Sequence, residues 1–182
     1  MADKNTNFWS APLQDPKRAF RFVLTLGSFD NIQWLVKKVS RPEIEVQEAE
    51  HAYLNHTFYY PGRVKWSEVN FTLVDPITPD AAEVMSSIIQ NAGYSPPKDM
   101  NSLSTMDKAS AISELGELSV DIIDATGDAA LETWTFKNAW LLKVTFSEHS
   151  YEEDALTDVE LTVRYDWAEL ISASGTGFFE LA

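Results

Sequence analysis

Three histidines and a run of carboxylates are the residues of this chain whose types could do chemistry. His51 and His56 are five apart. An odd separation turns them to opposite faces of an extended segment, and it misses the one-turn spacing of a helical zinc motif. A composite metal site would need the distant His149; a surface or interface role is the simpler reading. Glu148, Glu152, Glu153, Asp154 and Asp158 crowd a stretch between two alternating segments. Oxygen ligands suit a hard cation such as calcium, but the regular D-x-D-x-D-G loop is missing. A charge run between strands reads as a solvated turn. Carboxylates paired in space could serve glycoside hydrolysis, yet nothing singles out a pair. There is no G-x-S-x-G elbow, no P-loop and no G-x-G-x-x-G. The expectation is a protein that is not an enzyme and has no cofactor or metal site.

The elements that must position these residues are written as alternation. From Tyr53 to Asp75 the chain reads Y-L-N-H-T-F-Y-Y-P-G-R-V-K-W-S-E-V-N-F-T-L-V-D. An aromatic run reaches Pro61-Gly62, a turn signal, and strict alternation begins at Trp66. Val69, Phe71 and Leu73 fall on one face of a strand, with Glu68, Asn70 and Thr72 on the other. Tyr59 and Tyr60 lead into the expected turn, where a soluble monomer usually places polar residues. Such rings either fold back on their own core or meet a partner.

The 182 residues suffice for one domain with a sizeable core, and 45% hydrophobic content with 12% aromatics excludes a disordered chain. No apolar run approaches the length of a membrane-spanning helix. The opening M-A-D-K-N-T-N-F-W-S lacks the apolar core of a signal peptide. The absence of cysteine removes disulfides, thiolate metal sites and cysteine nucleophiles, and fits a reducing compartment. The net charge is −14, from 14 Lys and Arg against 28 Asp and Glu. Up to Asp75 the two signs cancel, nine against nine; the excess lies after Pro76. That balance argues against binding nucleic acid by neutralising phosphates, and leaves open a surface that repels DNA or one that is simply soluble.

Residues 1–19 read as a polar arm with Phe8 and Trp9 as anchors. Phe20, Phe22, Leu24 and Leu26 form a strand that stops at Gly27. Ile32, Trp34 and Val36 resume the pattern, and Lys37, Lys38 and Arg41 make a basic patch. Glu43 to Gln47 alternates again. After Pro76 the period changes: Thr78 as N-cap, Pro79 in the first helical position and Asp80 on the dipole start a helix over about 78–92. Its apolar positions are Ala81, Val84, Met85, Ile88 and Ala92, and Gly93 ends it. Residues 94–106 form a loop and a short helix spans Asp107–Leu115. Strands resume at Leu118-Val120-Ile122, turn at Thr126-Gly127-Asp128, and continue through Trp134-Phe136 and Trp140-Leu142-Val144-Phe146. Val159-Leu161-Val163-Tyr165-Trp167 makes the last one, its polar face carrying Asp158, Glu160, Thr162, Arg164 and Asp166. The expected fold is a mainly β, antiparallel sandwich or barrel with one inserted amphipathic helix. It forms one domain over 1–182, with 168–182 as a C-terminal tail.

Three features together resemble the tail tube proteins of contractile-tailed bacteriophages (myoviruses), a family related to type VI secretion tube proteins. They are Asp15 to Phe22, leading into the first strand; Asn55 through Pro61-Gly62 to Trp66 with Val69 to Leu73; and Trp134 to Trp140 with Val159 to Trp167 behind it. The resemblance spans roughly Asp15 to Trp167. It implies a homo-hexameric ring whose subunits join sheets into a continuous inner barrel, rings stacked into a tube, and a surrounding sheath. Baseplate and tail-terminator proteins would be further partners, and DNA would pass through the lumen without specific binding or membrane insertion. The place of action would be the virion, with assembly in the host cytoplasm. Tyr53, Leu54, Tyr59, Tyr60, Pro61, Gly62 and Arg63 would then stack rings, and Asp121, Asp158 and Glu160 would line the lumen as acids that keep phosphates off the wall. Residues 94–115 and the terminal S-A-S-G-T-G-F-F depart from the family pattern; the Phe178-Phe179 pair could dock on a neighbouring ring.

A baseplate tube initiator or terminator, and a type VI-like secretion tube subunit, are rivals within this class. Outside it stand a β-sandwich carbohydrate-binding module, with Tyr53, Tyr59, Tyr60 and Trp66 as stacking platform, and an acidic hydrolase.

Overall fold

Strand alternation and two capped helices build the chain in the computed structural model, which describes residues 16–27, 35–99, 101, 103–152 and 154–181. The anchors Phe8 and Trp9, the strand residues Ile32 and Trp34, and Glu153 lie outside the described residues. The strands are β1 (Phe22–Leu26), β2 (Val36–Val39), β3 (Ile44–Tyr53), β4 (His56–Trp66), β5 (Val69–Val74), β6 (Leu118–Ile123), β7 (Ala130–Lys137), β8 (Trp140–Phe146), β9 (Asp158–Arg164), β10 (Trp167–Ser172) and β11 (Gly177–Phe178). The helices are α1 (Ala81–Asn91) and α2 (Lys108–Leu115).

Two antiparallel sheets face each other. One has the order β1-β6-β7-β10-β11 and the other β2-β5-β9-β8. Leu24, Leu26, Leu118, Val120, Phe136 and Ala168 of the first meet Val69, Phe71, Leu73, Val159, Leu161 and Val163 of the second, all of them buried. Burying one face of each sheet fixes the register, because a one-residue slip would turn every apolar side chain to water. The mainly β, antiparallel architecture is thus as the alternation predicts.

Both helices close onto this core. Ala81, Met85 and Ile88 of α1, with Ala92 just beyond its end, are buried. The helix starts later than Thr78 and Pro79: Asp80 is the N-cap and accepts from the Glu83 N–H at 3.1 Å. Asp75 accepts from the Ala81 N–H at 3.1 Å. Two carboxylates satisfy donors that would otherwise be orphaned, and this outweighs the Thr-Pro signal. The short helix is present as α2, capped by Asp107 through the Ser110 N–H at 3.0 Å.

The expected last strand divides. β9 ends at Arg164, and β10 begins at Trp167 in the opposite sheet, paired with β7. The corner is pinned at Asp166, whose carboxylate accepts from Lys108 at 2.6 Å and from Asn138 at 2.7 Å. Alternation runs unbroken across the bend, so period alone reads one strand. Segment 168–182 is accordingly no loose tail: it supplies β10 and the short partner β11.

Ile88 is 4% exposed in this core. Ile88→Ala should lower unfolding free energy by about 2–5 kcal/mol, read by denaturant titration. An unchanged midpoint would show that this helix face is not packed.

Candidate functional site: an exposed hairpin and an open four-stranded sheet

Among the described residues β3 and β4 pair only with each other, as a two-stranded sheet apart from the sandwich. All ten residues of β3 are exposed, and β4 is exposed except at Thr57 and Trp66. A free two-stranded ribbon is marginal in water, so its base needs an anchor. Trp66, the last residue of β4, packs edge-on against Tyr165 at 6.0 Å, Tyr165 against Phe136 at 4.9 Å, and Phe136 against Phe71 at 6.4 Å. Phe179 covers Trp66 from the other end at 5.5 Å. One chain of edge-to-face rings therefore runs from the core to the hairpin's root. Burial pushes the Tyr165 hydroxyl up to about 12, so this ring stays neutral at ordinary pH. The Phe178-Phe179 pair thus uses Phe179 within its own chain, against Trp66.

The hairpin turns at Leu54-Asn55, where Leu54 has φ 54°, and Tyr53 faces His56 across the turn. Pro61-Gly62 is not the turn. It sits inside β4 at a register shift opposite Gln47, and a Cβ on Gly62 would meet the Gln47 carbonyl oxygen at 2.8 Å. The glycine is needed for close approach in a bulge, which looks like a turn signal in sequence. Pro61 stands beside that bulge, where a strand tolerates proline.

Register sorts the arm's side chains. His51 opposes Phe58, Tyr53 opposes His56, and Ala49 opposes Tyr60, so these six share one face. His51 and His56 consequently lie on the same face, because a turn intervenes; the opposite-face reading holds only for a continuous strand. The reverse face pairs Glu50 with Tyr59 and Glu48 with Pro61. Leu54 at the tip is 89% exposed, Tyr59 62% and Tyr60 55%. Tyr53, Leu54, Tyr59, Tyr60, Pro61, Gly62 and Arg63 are all on this arm, from its tip to beyond the bulge.

The predicted lumen acids are not all together. Asp158 and Glu160 lie on the outward face of the four-stranded sheet, whereas Asp121 lies on the outward face of the five-stranded sheet, accepting from the Thr133 hydroxyl at 2.6 Å. The core stands between them, so all three cannot face one channel. Nor is the face of Glu160 an acidic wall. Asp158 is paired with Lys37 at 2.6 Å, Arg164 with Glu68 at 3.3 Å, and Glu160 shares its surface with Lys38 and Lys143. Charges there are close to balanced, with Thr162 donating to Asn70 at 2.8 Å between them. Among the described residues β2 and β8 each pair on one side only, which leaves both edges of this sheet open to a further strand.

Glu148, Glu152 and Asp154 are exposed in the loop before β9, as is His149. Among the described residues no group of three or more His, Asp or Glu is arranged to hold a metal ion. Sequence reasoning missed Glu132. It is 8% exposed and takes Lys17 and the Trp134 ring N–H, with Arg41 at 3.7 Å. Burial by itself would raise its carboxyl, but the Lys17 and Trp134 bonds and the charges of Lys17 and Arg41 outweigh it and hold it below its ordinary 4.5. A lone glutamate in an alternating strand gives no signal that Lys17, 115 residues earlier, will meet it.

The sequence matches no protein-family model and no curated protein. Solved structures share its fold. A chain from the cryo-EM structure of the six-fold symmetrised baseplate of the anti-feeding prophage aligns with TM-score 0.63 at 9% identity, over 88% of this chain and 99% of that one. One from the sheath/tube terminator of the PVC extracellular contractile injection system aligns with TM-score 0.63 at 16% identity, over 87% and 98%. One from the sheath-tube complex of that system in the extended state aligns with TM-score 0.61 at 18% identity, over 92% and 99%. The fold is that of chains from contractile injection systems, in line with the tail tube resemblance.

A depressed carboxyl binds its proton less readily in the folded chain than in the unfolded one. The stabilisation from Glu132 is therefore complete above its ordinary 4.5 and is lost as pH falls below it. Glu132→Gln should be less stable than wild type near neutrality, and the gap should narrow between about pH 5 and pH 3, followed by thermal melts. A gap of constant size would mean that Glu132 does not hold its charge in the fold.

Proposed function

We propose that this chain is a structural, non-catalytic subunit of a contractile injection apparatus. It assembles as six-membered rings that stack into the inner tube of a phage-like contractile tail. The observation that carries the reading is the four-stranded sheet with two open edges and a polar outward face, set in a body of this fold. Joining β2 of one subunit to β8 of the next removes both edges. Four strands from each of six subunits give a barrel of twenty-four, about 45–50 Å across its backbone at ordinary strand spacing and tilt. Smaller barrels of sixteen to eighteen strands already enclose an open aqueous channel, so this one is a conduit.

Glu160 then faces the lumen, with Asp158 beside it, and Asp121 belongs to the outer layer, towards the sheath. DNA is the cargo implied by the tail tube resemblance. A wall of balanced charge lets a polyanion slide without holding it, and Glu160 is the acid that offsets Lys38 and Lys143. The hairpin, with its exposed rings, joins one ring to the next. The tube works in the assembled particle, with sheath, baseplate and terminator proteins as neighbours. A tube initiator or terminator is the second reading, favoured by the equal TM-scores to chains from baseplate and terminator assemblies. Electron microscopy separates the two: the first role fills the tube's length, the second only its ends.

Two substitutions test this reading. Tyr59→Ser with Tyr60→Ser removes one ring from each face of the arm; burying an aromatic side chain is worth about 1.5–3 kcal/mol, and a ring repeats the loss in every subunit. The protein should keep its circular dichroism and melting temperature and form no long tubes. Long tubes at the wild-type yield would take the arm out of the stacking interface. Glu160→Lys puts a third cation beside Lys38 and Lys143 on the wall. Particles should assemble yet release DNA slowly, most visibly at low salt, where screening is weakest. Release at the normal rate in low salt, from particles with intact tubes, would remove Glu160 from the lumen.

A further inference from the structure

Register divides the arm into two unlike faces. Tyr53 with His56, His51 with Phe58 and Ala49 with Tyr60 stand on one of them, and these six residues are all exposed. None of the six is Asp, Glu, Lys or Arg, although the chain carries 14 basic and 28 acidic residues. On the reverse face Glu50 stands across from Tyr59 and Glu48 from Pro61, so carboxylates interrupt its apolar residues. Beyond the bulge the first face becomes charged again, with Glu45 across from Lys65. The uncharged patch therefore covers only the outer three rungs of the ribbon.

Three rings exposed together call for a partner, and charge sets the partner's character. At a net charge of −14, two copies repel wherever both present carboxylates, and a face without any is where they can close. A lipid surface is the competing occupant. Against it, the rings spread along about 13 Å of ribbon, and Glu50 lies on the reverse face at the depth of Phe58 and Tyr60. Sinking those rings into hydrocarbon would bury a carboxylate with them. The face also holds two groups of the kind that titrates near neutrality, His51 and His56. His56 packs edge-on against Phe58 at 4.8 Å, and His51 stands across from the same ring. A neutral imidazole fits such an apolar contact; an imidazolium there has lost its water and gained no counter-ion. Among the described residues the arm pairs only with itself, so the charged groups around the histidines are its own. Glu48 and Glu50 point to the reverse face. Glu45, Arg63 and Lys65 lie about 15 Å or more from His51 along the backbone, beyond the screening length at physiological salt.

We infer that this uncharged face of the arm docks on a second copy of the chain, and that protonating His51 and His56 releases it. This rests on the proposed tube assembly and adds which face of the arm makes the contact and what undoes it. Burial favours the neutral imidazole, so association expels protons and weakens as pH falls through the ordinary histidine value of about 6.5. Where the docked state admits no proton, one pH unit below that value weakens association about tenfold for each histidine. Carboxylates ordinarily titrate near pH 4, well below this range.

Two small exposed residues on opposite faces, Ala49 and Ala52, test the assignment. Ala49→Glu should cut pelletable tube about tenfold or more, and Ala52→Glu should change it less than about twofold. Equal losses, or no loss from Ala49→Glu, would overturn the docking face. Moving wild type from about pH 7.5 to about pH 5.5 should lower pelletable tube about tenfold or more, reversibly. His51→Gln with His56→Gln should keep its tubes at the lower pH, while His149→Gln should lose them as wild type does. If the glutamines themselves block assembly, His51→Phe with His56→Phe takes their place. Wild-type tubes that survive the lower pH, or tubes lost alike in wild type and the double variant, would defeat the release. Because the chain has no cysteine, one introduced thiol reads the docked face with or without tubes. Ala49→Cys should react with iodoacetamide about tenfold more slowly in concentrated than in dilute protein near neutral pH, and Ala52→Cys at the same rate in both. Protection of Ala49→Cys without tubes would sink the tube reading alone; equal reactivity of the two thiols would sink the docking face. Loss of binding to phosphatidylcholine vesicles as the sole effect of Ala49→Glu would hand the face to lipid.

Discussion

Everything in this molecule depends on two sheets burying one face each against the other. The inner faces are wholly committed: Phe71, Leu73, Val159 and Leu161 from one side meet Leu24, Val120 and Phe136 from the other. Strand period then forces the intervening residues outward, which is why Asn70 and Thr72 of β5, Glu160 and Thr162 of β9, and Lys143 and Thr145 of β8 form a polar surface across three strands. The same constraint leaves the four-stranded sheet without closure at its edges. A body that solves its core problem in this way has an unsolved edge problem, and assembly is the remedy that needs no further residues.

The hairpin shows how a local feature is tied to that core. Its strands contribute nothing buried to the sandwich, so their position depends on the ring contacts at Trp66. Phe71 and Phe136 belong to opposite sheets, Tyr165 sits at the corner where the chain changes sheet, and Trp66 begins the arm. A disturbance at the corner would therefore reach the arm through packing alone. Lys108 and Asn138 hold that corner through Asp166, and the Lys108 bond leads the causes that keep its carboxyl below 3.8.

Charge is distributed by the same logic. The acidic excess after Pro76 suggested an acidic channel wall, yet the outward face of the four-stranded sheet balances Asp158, Glu160 and Glu68 against Lys37, Lys38, Lys143 and Arg164. The basic residues of that balance come from both halves of the chain, and a linear count cannot pair them.

The sequence by itself determined the strands, the helices and which face of each is apolar, because period is a local property set by backbone geometry. Val69 to Val74, Leu118 to Ile123 and the α1 face at Met85 and Ile88 are all found where their spacing puts them. The exposed aromatic segment, with Tyr59 and Tyr60 turned outward, was legible in the same way. Only the tertiary structure decided the rest. That Pro61-Gly62 is a bulge, that Leu54-Asn55 is the turn, and that His51 and His56 share a face all follow from which residue pairs with which. That Val159 to Trp167 bends from one sheet into the other, that Asp121 is turned away from Glu160, and that Lys17 finds Glu132 are likewise matters of pairing. Pairing is non-local: it is chosen by the total burial of both sheets at once, and no window of sequence contains both partners.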